Sequence, residues 1–181
     1  MKSFLKLGAL AVFALLLTSE LVTAQERGDG VRPSPNAANS QNIGATVVSI
    51  TYGRPALKDR TYFSDGSQLA PSESVWRTGA NESTVITFST DVMFGDKEVK
   101  AGTYSLYSIP GDEEWTVILN SKLSWGTQYD AAMDVVRTTA AVGEGSNLEW
   151  FEIYFDTLSD TKAHMNLHWG TTKVAVPISV K

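Results

Sequence analysis

Hydrophobic residues recur with a period of two along most of the chain beyond residue 43. In the segment 47–52, for example, Val48, Ile50 and Tyr52 occupy every second position. Successive side chains of a strand point to opposite faces of a sheet, so this period predicts β-strands. Similar runs recur at 85–89, 92–94, 98–100, 103–109, 115–119, 135–139, 148–156, 163–169 and 173–180.

Short polar segments between these runs predict turns. The sequence Gly95-Asp96-Lys97 favours a hairpin, and the Pro-Gly-Asp-Glu sequence at 110–113 favours a second one, because proline sets φ and glycine tolerates positive φ. Short strands at regular spacing indicate an all-β, mainly antiparallel β-sandwich or partly closed barrel of about ten strands. Pro177 cannot donate to a ladder, so we expect the last strand at an edge. Helix is limited to one or two short turns, at 71–76 and 127–134.

The first 24 residues have the pattern of a secretory signal peptide. Lys2 and Lys6 precede the apolar run Leu7–Leu17, and the small-residue sequence Val22-Thr23-Ala24 follows it. We therefore expect cleavage after Ala24 and a periplasmic or secreted protein. The alternative is a transmembrane anchor, but the apolar run is about half of the roughly 20 residues that a spanning helix needs. No stable membrane insertion is expected after cleavage.

Residues 25–42 are rich in Gly, Pro, Ser and Asn and show no apolar periodicity. Such a composition predicts a flexible leader. The folded unit, a single β-sandwich domain, is then expected to span residues 43–181.

Charge and cysteine content narrow the function. The chain has a formal net charge of −5, which argues against nucleic acid and anionic lipid as partners, because both attract basic surfaces. There is no cysteine, so disulfides, thiol nucleophiles, thiolate metal sites and lipid attachment through cysteine are excluded.

Several short motifs in a fixed order resemble a family of exported bacterial proteins, the domain of unknown function 2911 family. The resemblance spans essentially all of residues 43–181 and implies an exported β-rich domain with no established activity. The sequence departs from the family pattern between Thr138 and Leu148, where residues 140–145 are expected to form a loose loop. The motifs lie at 52–55 (YGRP), 58–60 (KDR), 75–82 (VWRTGANE), 101–106 (AGTYSL), 109–111 (IPG), 114–118 (EWTVI), 125–126 (WG), 129–130 (YD) and 134–137 (DVVR).

The segment 75–82 is the densest group of chemically specific side chains. As a binding site, Arg77 offers a planar fork to a carboxylate or sulfate group, Trp76 offers a flat face, and Asn81 adds a donor and an acceptor. As structure, Trp76 fills the core, Arg77 pairs with a nearby acid and stacks on an aromatic ring, and Gly79 permits a tight crossing of two chain segments. The structural interpretation is favoured over the site by about two to one.

A second arginine and a second loop extend the candidate site. Arg54 follows a strand end, and its convergence with Arg77 would form an anion pocket on an acidic protein; the alternative is two separate ion pairs. Trp125 and Tyr129 lie in a glycine-containing loop that suits stacking on a carbohydrate or peptide, or capping of the sandwich.

Catalytic and metal signals are sparse. Glu82 and Asp130 are the carboxylate pair that a metal-independent glycan hydrolase would use. His164 and His168 are four residues apart on a predicted strand, about 13 Å, which is too far to share one ion. No cofactor is indicated, because the glycines are dispersed and form no phosphate-binding loop.

We therefore expect a non-catalytic binding module of the cell envelope, whose partner is a glycan, a small anionic ligand or an envelope protein. The alternatives are the hydrolase and a scaffold whose signature residues all lie in the core.

Overall fold

The structure, a computed structural model, describes residues 27–28 and 30–181, so the predicted signal peptide lies outside the described residues. One nine-stranded antiparallel sheet, which does not close into a barrel, forms the fold. The all-β, antiparallel prediction is confirmed. The strands are β1 (Asn36–Ile43), β2 (Thr46–Gly53), β3 (Thr84–Phe88), β4 (Val92–Phe94), β5 (Lys97–Val99), β6 (Gly102–Ile109), β7 (Glu114–Asn120), β8 (Asp134–Asp156) and β9 (Lys162–Ser179).

Strand β1 corrects the predicted flexible leader. Residues 36–42 pair with β2 in continuous register, from Asn36 opposite Gly53 to Ile43 opposite Thr46. Gly44, at φ 56°, provides the left-handed turn between the two strands. The leader prediction is wrong for 36–42 because β1 is polar: it is held by its hydrogen-bond ladder to β2, and only Ile43 is fully buried.

The two longest strands each combine two runs that were predicted separately. Strand β8 continues through residues 140–145, so the loose loop expected there is wrong. Its first part pairs with β7 and its second part with β9, and shifts in register between Glu144 and Leu148 and between Leu148 and Glu152 mark the irregular region. Bulges of this kind bend a strand and increase its twist. The bend allows β8 to pair with β7 in one half of the sheet and with β9 in the other.

The sheet order is β1-β2-β3-β6-β7-β8-β9-β4-β5, and the core lies between its two halves. Tyr52 of β2 meets Phe151 of β8, with ring centroids 5.8 Å apart, although the two strands are not neighbours in the sheet. The prediction that the last strand lies at an edge is wrong, because β9 pairs with both β8 and β4. Pro177 lies beyond Val174, where the pairing with β8 ends, and its carbonyl accepts a hydrogen bond from the Gly95 amide.

Helical structure in the described residues amounts to one 3₁₀ turn, Ala131–Met133, inside the predicted segment 127–134. Residues 71–76 form turns instead of a helix. Across the described part of the chain, no helix has the length and apolarity needed to cross a membrane. The irregular structure is concentrated in two long loops, 54–83 and 121–133, and these two loops build the candidate site.

Candidate functional site

A cavity of about 710 Å³ opens between the two long loops. Its size falls within the range of about 300–1,000 Å³ that is usual for small-molecule pockets. Loop 54–83 contributes most of the wall, loop 121–133 contributes a second side, and single residues of the N-terminal segment and of β9 complete it. The lining residues are Ser34, Pro55, Arg60, Gln68, Leu69, Ala70, Pro71, Val75, Trp76, Arg77, Gly79, Ala80, Gly126, Thr127, Tyr129 and Trp169.

Trp76 forms part of the cavity wall and belongs to an aromatic cluster in the core. Its side chain is buried, stacks on Trp169 at a centroid distance of 5.8 Å and an interplanar angle of 12°, and meets Phe63, Trp115 and Phe151 edge-on. The indole N–H donates to the Gly79 carbonyl at 3.1 Å. Trp76 is therefore chiefly a structural residue that sets the position of the residue following it.

Gly79 allows two chain segments to cross closely, which is the role that the structural interpretation of segment 75–82 gave to this glycine. A Cβ at this position would lie 2.9 Å from the Gly53 carbonyl oxygen, and φ is 151°. Both conditions favour glycine. The crossing brings the end of β2 against the segment 75–82 and so fixes the base of the cavity.

Arg77 lies in the cavity wall, and no acid in the part of the chain that the structure describes pairs with it. Within the described residues, its side chain makes no ion pair and no hydrogen bond, and its Nε is buried without an acceptor. Burial lowers the pKa of the Arg77 guanidinium, while the Tyr107 phenol opposes this shift. The pairing of Arg77 with an acid, one half of its structural interpretation, is thus not present in the described part of the protein.

Gly126 holds the stem of Arg77 in place. A Cβ on Gly126 would lie 2.8 Å from the Cβ of Arg77 and would also collide with its Cδ. The loop 121–133 therefore packs directly against the aliphatic part of the Arg77 side chain. This contact places the Trp125–Asp130 segment and Arg77 beside the same cavity.

The second arginine of the cavity is Arg60, not Arg54. Arg54 lies outside the wall: its Nε donates to the Phe151 carbonyl at 2.9 Å, and an Nη lies 3.9 Å from Glu152. Arg60 lines the cavity, and its Nε and Nη2 donate to the carbonyls of Leu57 and Ala56, at 3.1 and 2.8 Å. Arg60 was part of the 58–60 motif, but sequence reasoning gave it no role, because its contacts depend on the path of loop 54–83.

Tyr129 also lines the cavity, and its hydroxyl group is fully engaged. The hydroxyl donates to Asp134 at 2.6 Å and accepts from an Arg137 Nη at 2.8 Å. Burial, together with the hydrogen bond to the Asp134 carboxylate, raises the pKa of Tyr129 to about 12. Trp125, from the same loop, is exposed and does not line the cavity.

The Glu82 carboxylate forms ion pairs with two arginines of the N-terminal segment. Its buried carboxylate accepts from Arg32 Nη1 at 2.7 and 2.9 Å and lies 3.5 Å from Arg27 Nη1. Burial raises the pKa of the Glu82 carboxyl, but the Arg32 hydrogen bonds and the two positive charges outweigh burial and leave the pKa below its ordinary value. We call this group of Arg27, Arg32 and Glu82 the N-terminal clasp.

The remaining predicted site residues also have structural contacts. Asp130 caps the 3₁₀ turn by accepting from the Ala132 amide at 3.1 Å. Asn81 donates to the Ser34 carbonyl at 3.1 Å and so ties the N-terminal segment to the cavity wall. Of the predicted residues, Trp76, Arg77 and Tyr129 share the cavity, whereas Arg54, Asn81, Glu82, Trp125 and Asp130 are not among its lining residues.

The charge of the cavity is opposite to that of the chain. Among the described residues, its lining contains two arginines and no aspartate or glutamate, although the chain carries a formal net charge of −5. Across the described residues, no group of three or more His, Cys, Asp or Glu side chains is arranged to hold a metal ion. His164 and His168 lie on strand β9, as predicted, and the Nε2 of His168 is within 2.9 Å of the Ser146 carbonyl.

Comparison with protein families matches residues 34–178 to a family described as "Protein of unknown function (DUF2911)". All sixteen residues that line the cavity fall inside the matched range. A search of curated proteins and a search of solved structures returned no match.

Proposed function

Given that the chain belongs to the DUF2911 family of proteins of unknown function, we propose that it is a non-catalytic binding module of the cell envelope. Its ligand is a small organic anion, and its binding site is the cavity between loops 54–83 and 121–133. Envelope location rests on the signal-peptide pattern of residues 1–24, which is typical of exported proteins.

The state of Arg77 carries the proposal. A guanidinium that is partly withdrawn from water and has no carboxylate partner is costly, because desolvation of a charge is offset only by hydrogen bonds and opposite charge; Arg77 is half-buried, with its Nε fully buried. Within the described residues, Arg77 has neither, and none of the acids described there lines its cavity. A bound anion would supply both, so the arrangement favours an anion over a neutral or cationic ligand.

Binding is favoured over hydrolysis because both candidate carboxylates already have partners. The Glu82 carboxylate is held by the N-terminal clasp, with a lowered pKa that is unsuited to a general acid. The Asp130 carboxylate accepts from the Ala132 amide. Neither residue lines the cavity.

Thermal unfolding of the mature chain in the presence of organic anions tests the proposal. A ligand at about 100 times its dissociation constant stabilises a folded protein by about 2.7 kcal/mol, so at least one carboxylate, sulfonate or phosphate ester should raise the melting temperature. Equal concentrations of sodium chloride control for ionic strength.

Two variants locate the effect. Arg77→Met should abolish the increase, whereas Arg54→Met should retain it, because Arg54 lies outside the cavity. An increase of the same size in Arg77→Met and wild type would contradict the proposed site.

A further inference from the structure

We infer that the ligand of the cavity is a dianion, a small hydroxylated molecule that carries two separate acidic groups. The inference rests on the proposed anion-binding function and names the class of anion. Three properties of the described wall support it. Two arginines each keep an unused donor edge, these arginines are anchored to different parts of the sheet, and polar side chains without partners lie beside them.

Both arginines of the wall keep the Nη1–Nη2 edge of the guanidinium for a ligand. Arg60 donates once from Nε and once from Nη2, to the carbonyls of Leu57 and Ala56, so both Nη1 hydrogens and one Nη2 hydrogen remain. Arg77 makes no hydrogen bond with any described residue, and its Nη atoms, unlike its Nε, are not fully buried. Two N–H groups along such an edge match two oxygens of an acidic group. Each arginine can therefore bind one acidic group end-on.

The Arg60 guanidinium is fixed in position by its own turn. Arg60 is exposed, but its two hydrogen bonds tie the guanidinium to the backbone of residues 56 and 57. This backbone is joined to β8, because the Leu57 amide donates to the Glu149 carbonyl at 3.0 Å and Ala56 pairs with Trp150. A donor that is oriented in advance loses less conformational entropy when a ligand binds.

The two arginines are anchored to different parts of the sheet. Arg77 follows Trp76, which pairs with Ser108 of β6, and loop 121–133 packs against the Arg77 side chain. Arg60 is joined instead to the second part of β8, which pairs with β9. In the sheet, β6 is a neighbour of neither β8 nor β9. The two donor edges thus reach the cavity from different elements, which favours two separate acidic groups over a single anion held by both arginines.

The charge of the wall agrees with a ligand that carries two negative charges. Within the described residues, no aspartate or glutamate of the lining offsets the two arginines. The chain as a whole is acidic, with a formal net charge of −5, so its long-range field repels a dianion more strongly than a monoanion. A preference for a dianion must therefore come from the local contacts with Arg60 and Arg77.

The remaining polar groups of the wall favour a hydroxylated body. The surface that the wall exposes to the cavity is more polar than apolar, and Ser34, Gln68 and Thr127 contribute to it. The side chains of these three residues make no hydrogen bond with the described part of the chain. Each of them can donate to and accept from a hydroxyl group of a ligand. A hydrocarbon body would take water from these side chains and offer no hydrogen bond in return.

Calorimetric titration of the mature chain at pH 7 with four probes tests the inference. Glucarate has a carboxylate at each end of a hydroxylated chain, gluconate has the same chain with one carboxylate, and adipate has both carboxylates without the hydroxyl groups. Inorganic phosphate represents a single anion shared by both arginines. We expect glucarate to bind roughly tenfold or more tightly than gluconate, because gluconate lacks one charge-assisted pair. Adipate and phosphate should also bind more weakly than glucarate.

Variants assign one carboxylate to each arginine. In Arg60→Met the preference for glucarate over gluconate should fall below about threefold, because one fork remains, and Arg60→Lys should recover part of the preference as a point charge. Arg77→Met should weaken glucarate binding roughly tenfold or more. Arg54→Met should bind like wild type, because Arg54 lies outside the cavity. The melting temperature without ligand shows that each variant is folded, and Arg77→Gln replaces Arg77→Met if the methionine variant does not fold.

The outcomes separate the two proposals. If gluconate or phosphate binds as tightly as glucarate and Arg77→Met weakens that binding, the dianion is refuted while anion binding stands. If adipate binds as tightly as glucarate, the hydroxylated body is refuted. If none of the four probes binds although another organic anion raises the melting temperature through Arg77, the dianion is refuted and anion binding again stands. If glucarate binds equally well to wild type and Arg77→Met, both proposals are refuted.

Discussion

The N-terminal clasp leads to the sharpest stability prediction. Glu82→Gln keeps the shape of the side chain and removes its charge. The Glu82 side chain is 4% exposed, and those of Arg27 and Arg32 are 8% and 22% exposed. Removing one partner from a buried ion pair typically costs about 3–5 kcal/mol, because the remaining charge stays buried without the opposite charge that compensated it.

We expect about 3 kcal/mol for Glu82→Gln, at the lower end of that range, because Arg32 retains partial access to solvent and a further interaction, and Arg27 retains its hydrogen bonds to the Thr51 and Ser83 carbonyls. Equilibrium unfolding in urea at pH 7 measures the change in the free energy of unfolding, and an unchanged m-value would show that the transition stays two-state. Glu152→Gln is the matched control. Glu152 is 40% exposed and lies 3.9 Å from Arg54, so its loss should cost less than about 1 kcal/mol.

The clasp also predicts a pH dependence. The pKa of Glu82 is lower in the folded state than its ordinary value of 4.5, so the clasp contributes its full stability above that pH. As the pH falls below 4.5 the unfolded state takes up the proton first, and the contribution declines until the folded state is protonated as well. The difference between wild type and Glu82→Gln should therefore narrow on acidification.

Two results would refute this reasoning. One is a cost of less than about 0.5 kcal/mol for Glu82→Gln, the range typical of ordinary surface changes. The other is a difference in unfolding free energy from wild type that does not narrow on acidification.

The clasp also matters for the site, because it anchors the segment that carries Ser34 into the cavity wall.

Three further predictions concern the cavity and its supports. Gly126→Ala should destabilise the protein by about 1–3 kcal/mol in urea unfolding, because the added methyl group overpacks the arginine stem beneath the loop. Trp76→Ala should cost about 3–5 kcal/mol as a core deletion, whereas Trp125→Ala, at an exposed position, should cost less than about 1 kcal/mol. The Tyr129 hydroxyl should ionise with a pKa of about 12, followed by the ¹³C shift of its ring, and this pKa should fall in Asp134→Asn, in which the neighbouring negative charge is absent.

Much of the fold was predictable from hydrophobic alternation alone. The all-β class, the antiparallel arrangement and the two hairpins follow from period two and from turn residues at 95–97 and 110–113. The errors at 36–42 and 140–145 share one physical origin: hydrogen bonding to a neighbouring strand can hold a segment in a sheet even where its side chains lack an apolar pattern. Strand β1 is polar, and the middle of β8 is exposed, so neither has the apolar pattern that sequence reasoning detects.

The candidate site was predictable in part. Unusual residues in short motifs marked Trp76, Arg77 and Tyr129, all of which line the cavity. Arg60 and Arg54 could not be ranked from sequence, since both follow β2 and only the path of loop 54–83 decides which of them reaches the cavity. The absence of described aspartate and glutamate residues from the wall is likewise a property of the fold, because it depends on where the folded chain places its acidic residues.

The central claim is that Arg77 binds an anion in the cavity, and the side-chain ¹H–¹⁵N signal of its Nε tests this claim most directly. Nε of Arg77 is buried and has no acceptor, so its signal should be well resolved, and its absence in Arg77→Lys assigns it. On titration with an organic anion that raises the melting temperature, the Arg77 signal should shift and saturate, while the Arg54 signal stays in place. An Arg77 signal that does not move while that anion binds would contradict the account.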